Sequence, residues 1–227
     1  MAGGEGPRLR PFTHTIPKPL LPIGRKPVAQ IIIERLASQG FEEIIMSLGY
    51  AADLIRAYFQ DGRRFGVKIS YFEEKERLGT AGCLAHLPAL KSEPFLVTNG
   101  DLLTDLDYRA MLGDHTASGA SLTVATRTQT ISLPYGVLNV EGGVVTGVQE
   151  KPVHQYACNA GIYAISPDAL ELVPATGPSD MTDLIARLLQ RGSAVKPKEI
   201  TGYWFDLAQA QDFDRALETL EELGLLP

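Results

Sequence analysis

Short apolar runs and segments of helical period alternate along the 227 residues of the chain. That alternation predicts an α/β sheet with helices on its crossovers. "VAQIIIERLASQG" (28–40) places Ile31, Ile32, Arg35 and Leu36 near helical spacing and stops at Gly40. "EEIIMSLGY" (42–50) reads as a buried strand. "ADLIRAYF" (52–59) predicts a helix with Leu54, Ile55, Tyr58 and Phe59 on one face. "VKISYF" (67–72) alternates as a strand does. "TAGCLAHLPAL" (80–90) begins as a helix, and "PFLVTNGD" (94–101) is a strand running into a polar turn.

Beyond position 120 the pattern changes. "SLTVAT" (121–126) and "NAGIYAIS" (159–166) read as strands, and "YGVLNVEGGVVTGVQE" (135–150) as a hairpin turning at Gly142-Gly143. "MTDLIARLLQRG" (181–192) is a helix. "YWFD" (203–206) is a short strand leading to an amphipathic helix (209–224) marked by Phe213, Ala216, Leu217, Leu220 and Leu223. The expectation is one α/β domain over 1–227, with residues 119–227 forming a more antiparallel lobe than residues 1–118.

Composition adds exclusions. The chain is 44% hydrophobic and 21% charged, ordinary for a globular protein. A net charge of −6 argues against a general nucleic-acid binder, while leaving room for a local basic site. Cys83 and Cys158 lack metal-type spacing and read as free thiols in a reducing compartment. His14, His86, His115 and His154 are scattered, which argues against zinc. No apolar run approaches the roughly 18 residues of a membrane span, and nothing resembles a signal peptide. A soluble, cytoplasmic protein with no membrane partner is expected; a homo-oligomer is left open.

Two places carry candidate chemistry. The first is the glycine-rich start, with Gly3, Gly4 and Gly6 followed by Arg8 and by Lys18 between Pro17 and Pro19. Neither the dinucleotide-binding nor the P-loop spacing is met. Glycines nevertheless allow close backbone approach to a ligand, Arg8 can clamp a phosphate bidentately, and Lys18 is a point charge on a stiff segment. A disordered basic tail is the other reading. The second is the pair of strand ends. Asp101 follows "FLVTNG" and Asp206 follows "YWF". Ligands of open α/β sheets bind beyond the carboxyl ends of strands, and Mg²⁺ prefers one or two carboxylates with phosphate oxygens and water. Turn or helix-capping aspartates are the alternative. Asp105 and Asp107 read as the start of the next helix.

Taken together, "AGGEGPRLRP", "IPKPLLPIG", "ERLGTAGCL", "FLVTNGD", "PYGVLNV", "EKP", "NAGIYAIS" and "GYWFDL" resemble, in order and over nearly the whole chain, the sugar-1-phosphate nucleotidyltransferases. The guanylyltransferase-like branch is the most similar in flavour. The resemblance implies a Rossmann-like, mixed and mainly parallel sheet flanked by helices, with a smaller antiparallel sugar-binding lobe. The reaction implied joins an NTP and a sugar 1-phosphate to give an NDP-sugar and pyrophosphate, by in-line attack on the α-phosphorus. It further implies that Ala2, Gly3, Gly4 and Gly6 line the nucleotide phosphates with Asn99 nearby. Arg8 and Lys18 would meet the triphosphate, and Asp101 and Asp206 would hold Mg²⁺. Arg8, Lys18 and Asp101 form the implied catalytic set. Gly79 and Thr80 fall where base and ribose sit, and Gly136, Glu150, Lys151 and Asn159 where the sugar and its phosphate sit. Guanine offers N1–H and N2–H₂ on one edge, which one carboxylate accepts. Glu73, Glu74 and Glu76 precede the base loop, and Glu76 tilts the expectation to GTP, with mannose 1-phosphate as the default acceptor. A solvated acidic strand end is the competing reading of this stretch.

The chain also departs from the family pattern. Members open with a hydrophobic strand before "AGG", whereas here Met1 stands almost at that motif, so a central strand is expected to be absent and its neighbours' backbone groups exposed. Pro7 replaces a residue with an N–H, Arg77 replaces a common proline, and Ala208 stands where a glycine is usual. These departures leave a catalytically silent regulatory or assembly domain as the second expectation.

Overall fold

The apolar run that follows Pro27 becomes α1 (Val28–Ser38), entered through a tight ribbon of β1 (Pro22–Ile23) and β2 (Lys26–Pro27). The computed structural model describes residues 1–87, 90, 92–207 and 210–224. Helix α1 buries Val28, Ala29, Ile32, Ile33 and Leu36, a stripe of period 3.6. Strand β3 (Glu43–Leu48) then runs parallel to β4 (Lys68–Glu73), with α2 (Ala52–Phe59) as their crossover. Ile55 and Phe59 are fully buried on α2, but Leu54 turns to solvent: one residue along a helix is about 100° around it, and the core-facing stripe does not reach so far.

The helix expected over 80–90 is a single α turn, α3 (Gly79–Gly82), which tightens into a 3₁₀ turn at Cys83–His86; Pro88 and Ala89 lie outside the described residues. Strand β5 (Phe95–Thr98) ends at the Asn99–Asp101 turn, as the sequence suggests. A further strand, β6 (Leu102–Thr104), follows at once. Asp107 then caps α4 (Tyr108–Ser118) by accepting the Ala110 N–H at 2.7 Å.

The second half is built on β7 (Leu122–Ser132) and β10 (Val153–Ile165), joined by the ribbon β8 (Val137–Glu141) and β9 (Val144–Gln149). The ribbon turns at Gly142 and Gly143, both at positive φ (56° and 83°), as a two-residue hairpin requires. Strands β7 and β10 pair antiparallel from Leu122–Ile165 out to Ser132–Val153, well beyond the six- and eight-residue runs visible in the sequence. Their outer halves are exposed on both sides, so no apolar run marks them; the backbone ladder alone extends them. Helix α5 (Met181–Arg191) leads to β11 (Val195–Glu199), which joins β7 in parallel at the sheet edge, where Pro197 is tolerated. The main sheet order is β11-β7-β10-β5. Strand β12 (Trp204–Asp206) pairs with β6, and α6 (Ala210–Glu222) buries Ala216 and Leu220 against that pair. Ala208, the departure noted above, lies outside the described residues. The fold is the expected mixed α/β class, although antiparallel ladders outnumber parallel ones among the described residues.

Met1–Gly3 lie between β3 and β5. Ala2 N–H donates to Ser47 O (2.8 Å) and Tyr50 N–H to Gly3 O (3.2 Å) on one side; the Met1 amine donates to Thr98 O (2.9 Å) and Gly100 N–H to Met1 O (2.7 Å) on the other. Beyond Met1 the two strands face each other across a cavity of about 320 Å³, lined by Ile33, Leu36, Ile44, Met46, Leu84 and Leu96 among others. Among the described residues no helix is long and apolar enough to cross a membrane.

Candidate active site

The glycine-rich start is ordered by its own backbone. Gly3 crosses Gly49 so closely that a Cβ on Gly49 would stand 2.8 Å from Gly3 O. Gly6 takes a left-handed conformation (φ 60°), and its carbonyl accepts both Leu9 N–H (3.0 Å) and the Thr13 hydroxyl (2.8 Å). Pro7 occupies the first position of the 3₁₀ turn Pro7–Leu9, where an N–H has no partner within the turn and proline is well placed. Lys18 opens another such turn directly after Pro17, and its stem packs beside Gly6. Ala2, Gly4, Gly6, Arg8, Lys18 and Asp101 line one cavity of about 350 Å³. The tail reading of this segment is thereby replaced by a folded, cation-bearing loop.

Asp101 faces that cavity from the turn after β5. Its Oδ2 accepts from Lys18 Nζ, and both side chains are largely buried. Its Oδ1 is buried with no hydrogen-bond partner among the described residues. A buried carboxylate oxygen left unpartnered is costly, so a cation or donor supplied by a ligand fits there. Asp206 sits on β12 opposite Leu102, and Leu207 N–H donates to the Asp101 carbonyl at 3.0 Å, so the two acidic residues occupy adjacent segments of chain. Asp101 is a hard carboxylate donor on the wall of a phosphate-sized cavity that also carries Arg8 and Lys18, a donor chemistry suited to Mg²⁺, and Asp206 lies on the neighbouring segment of chain. No cluster of three or more His, Cys, Asp or Glu occurs among the described residues.

The remaining sequence candidates are not among the residues that line this cavity. Asn99 receives the tight passage of Gly161 (φ 73°): its N–H donates to Gly161 O at 3.1 Å, and a Cβ on Gly161 would meet Asn99 Nδ2 at 2.8 Å. Asn159 spends both ends of its amide within β10, accepting Gly161 N–H (2.9 Å) and donating to the Tyr163 hydroxyl (2.8 Å), where the β7–β10 register shifts. Burial pushes the Tyr163 phenol above its usual pKa. Gly136, Glu150 and Lys151 gather at the base of the β8–β9 ribbon. A Cβ on Gly136 would lie 3.0 Å from Glu150 Oε2, and Lys151 holds a positive φ of 44°. Gly79 and Thr80 form the start of α3, with Thr80 bonded to the N-terminus of α5. Glu76 is exposed and makes no hydrogen bond or ion pair among the described residues.

Two carboxylates brace the loops: Glu74, which the sequence placed ahead of the base loop without a partner, and Glu5, which it did not single out. Glu74 accepts from the Ser47 hydroxyl (2.5 Å) and from Leu78 N–H (3.2 Å), tying β3 to the loop before α3. Glu5 pairs with Arg77 and, at 3.9 Å, with Arg10, linking the glycine-rich loop to the same region. Both lie within motifs quoted above, but only the fold shows what they touch.

A family profile described as nucleotidyl transferase matches residues 1–222. A UTP–glucose-1-phosphate uridylyltransferase of Synechocystis is 34% identical over 96% of this chain and 61% of its own length. A mannose-1-phosphate guanyltransferase beta-A of Xenopus laevis is 32% identical over 94% of this chain and 61% of its own. The chain thus spans about three fifths of the length of these curated relatives. Among solved structures, a putative glucose-1-phosphate thymidylyltransferase from Bacillus anthracis superposes with a TM-score of 0.77 at 26% identity, covering 96% of this chain and 92% of that one. The profile match over residues 1–222, with relatives 32–34% identical over nearly the whole chain, places this chain in the nucleotidyl transferase family.

Proposed function

We propose that the chain transfers a nucleotidyl group from a nucleoside triphosphate to a sugar 1-phosphate, releasing pyrophosphate. The observation that carries this is the cavity where Lys18, Arg8 and the glycine-rich backbone meet Asp101, whose Oδ1 lacks a partner. The chemistry asks for little covalent help. A phosphate oxygen of the sugar attacks the α-phosphorus in line, the new P–O bond forms as the bond to pyrophosphate breaks, and the negative charge passes to the leaving group. The protein must hold two polyanions together and stabilise that charge. Arg8 and Lys18 supply cations on the triphosphate side. The glycine-rich loop, held at Gly6 by Leu9 and Thr13, supplies a surface that phosphates can approach closely. Magnesium held by Asp101 and Asp206 would screen phosphate charge and polarise the α-phosphate. Glu150 and Lys151, exposed at the ribbon base, are assigned to the sugar and its phosphate, with Gly136 allowing backbone approach and Asn159 at a sugar hydroxyl.

GTP and mannose 1-phosphate are the favoured pair. Glu76 is an unengaged carboxylate ahead of the base loop, suited to the two donors on guanine, and guanyltransferases stand among the relatives. UTP with glucose 1-phosphate is the second pair, favoured by the Synechocystis relative. A pyrophosphate-release screen over four NTPs and a panel of sugar 1-phosphates, with a chelator control, tests the proposal. Chelator-sensitive turnover with GTP and mannose 1-phosphate is expected. Nucleotide binding without turnover for any pair overturns the catalytic reading in favour of a regulatory domain.

A further inference from the structure

We infer that Asp180, the N-cap of α5, is the positioning residue for the Gly79–Thr80 wall of the nucleotide cleft. The inference rests on the proposed nucleotidyl transfer and on the family resemblance, which puts Gly79 and Thr80 where the base and ribose sit. One oxygen, Asp180 Oδ1, accepts from both the Thr80 N–H (2.8 Å) and the Thr80 hydroxyl (3.1 Å). The same hydroxyl accepts from Met181 N–H at 2.9 Å. Next to it, Ser179 O accepts Ala81 N–H (2.7 Å) and Gly82 N–H (3.0 Å), and Ser179 N–H donates to Leu78 O (2.8 Å). The first turn of a helix leaves N–H groups without intrahelical partners. In α3 those groups are satisfied by a segment a hundred residues away in sequence.

The fit has no slack. Gly79 is left-handed (φ 74°), and a Cβ there would stand 2.6 Å from Ser179 O and 2.8 Å from Asp180 Oδ1. Helix capping alone does not account for Asp180. Asp183 completes a capping box by accepting Asp180 N–H at 2.9 Å, so α5 has a second capping carboxylate that does not touch Thr80. Because Thr80 spends its N–H and its hydroxyl on α5, the wall acts through the position of its backbone rather than through these two donors. The consequence is a coupling between halves: α5 belongs to residues 119–227, yet it sets the wall on which the nucleotide of residues 1–118 rests.

The test compares Asp180→Ala, Asp180→Asn and Asp183→Ala by amide hydrogen exchange over residues 79–82, by calorimetric binding of GTP and UTP with magnesium, and by steady-state KM for both substrates. Asp180→Ala should speed exchange at 80–82 and weaken nucleotide binding, each by roughly tenfold, the order expected for losing hydrogen bonds to a charged acceptor. The KM for sugar 1-phosphate should stay within about twofold, since the hydrogen bonds broken by the substitution lie on the nucleotide wall. Asp180→Asn, which keeps an oxygen acceptor, should recover most of the loss. Asp183→Ala should lower Tm while leaving exchange at 80–82 and nucleotide affinity as in the wild type. Equal effects of Asp180→Ala and Asp183→Ala on exchange and affinity, or an Asp180→Ala effect confined to Tm, would overturn the positioning role. Faster exchange in Asp180→Ala without nucleotide protection of 79–82 in the wild type would instead overturn the reading of the wall, and the inference with it.

Discussion

Asp101 concentrates the chemistry of the site in one side chain. One oxygen is neutralised by Lys18 and the other is buried without a hydrogen-bond partner among the described residues. Asp101→Asn removes the charge that pairs with Lys18 and that the proposed metal would need, so turnover should fall at least about a hundredfold. Because the change also leaves the largely buried Lys18 ammonium without its counter-charge, Tm should fall. Pyrophosphate release and a thermal melt check both halves of this prediction. The strand-end position of the aspartate could be read from the sequence, where a turn or capping aspartate was the alternative to a metal ligand. Its ion pair with Lys18 could not, because 83 residues separate the two and neither local pattern points at the other. Glu5 and Glu74 show the same limit: each reads as surface charge until the fold brings Arg77 to one and Ser47 to the other.

Elements were legible where an apolar stripe announces them. Helix α1, the β3–α2–β4 unit, the β8–β9 turn and α5 all fall where periodicity puts them. The outer halves of β7 and β10, and the short β6 and β11, carry no such stripe and exist because a neighbouring backbone offers a ladder. Two predictions belong to this scale. His115 joins α4 to the sheet: Nδ1 lies 2.9 Å from Thr123 Oγ1 and Nε2 lies 2.9 Å from Ser166 Oγ, which itself donates to Ala120 O. Burial pushes its pKa below the usual 6.5, with Asp168 opposing the shift weakly. The unfolded chain therefore binds the proton more readily than the folded one, and stability should be full above pH 6.5 and decline as pH falls below it. Melting curves between pH 8 and pH 5 should show that decline, and His115→Gln should flatten it. The second prediction concerns the cavity between β3 and β5, which Ala29 of α1 helps to line. Ala29→Leu should fill part of it and stabilise by about 1 kcal/mol, or roughly 2–4 °C in Tm. A lower Tm would mean that the space is already closed to a side chain.

At the scale of the whole molecule, the glycine-rich loop, the β5–β6 turn and α6's neighbour strand converge from positions early, middle and late in the chain. A ligand that touches all three binds only the folded state, so nucleotide with magnesium should raise Tm. At about a hundred times Kd the linkage is about 2.7 kcal/mol, or roughly 5 °C and more. Differential scanning fluorimetry with GTP or UTP, with and without chelator, measures it; no shift with any NTP would count against the proposed site. By itself the sequence determined the α/β class, the family resemblance and the strand-end positions of Asp101 and Asp206, because each is written in local periodicity or in an ordered series of short motifs. Only the tertiary structure decided which charges meet, that Met1–Gly3 bridge β3 and β5, and that α5 clasps the start of α3. Those outcomes depend on backbone hydrogen bonds and ion pairs between distant segments, and such contacts leave no periodic trace along a chain.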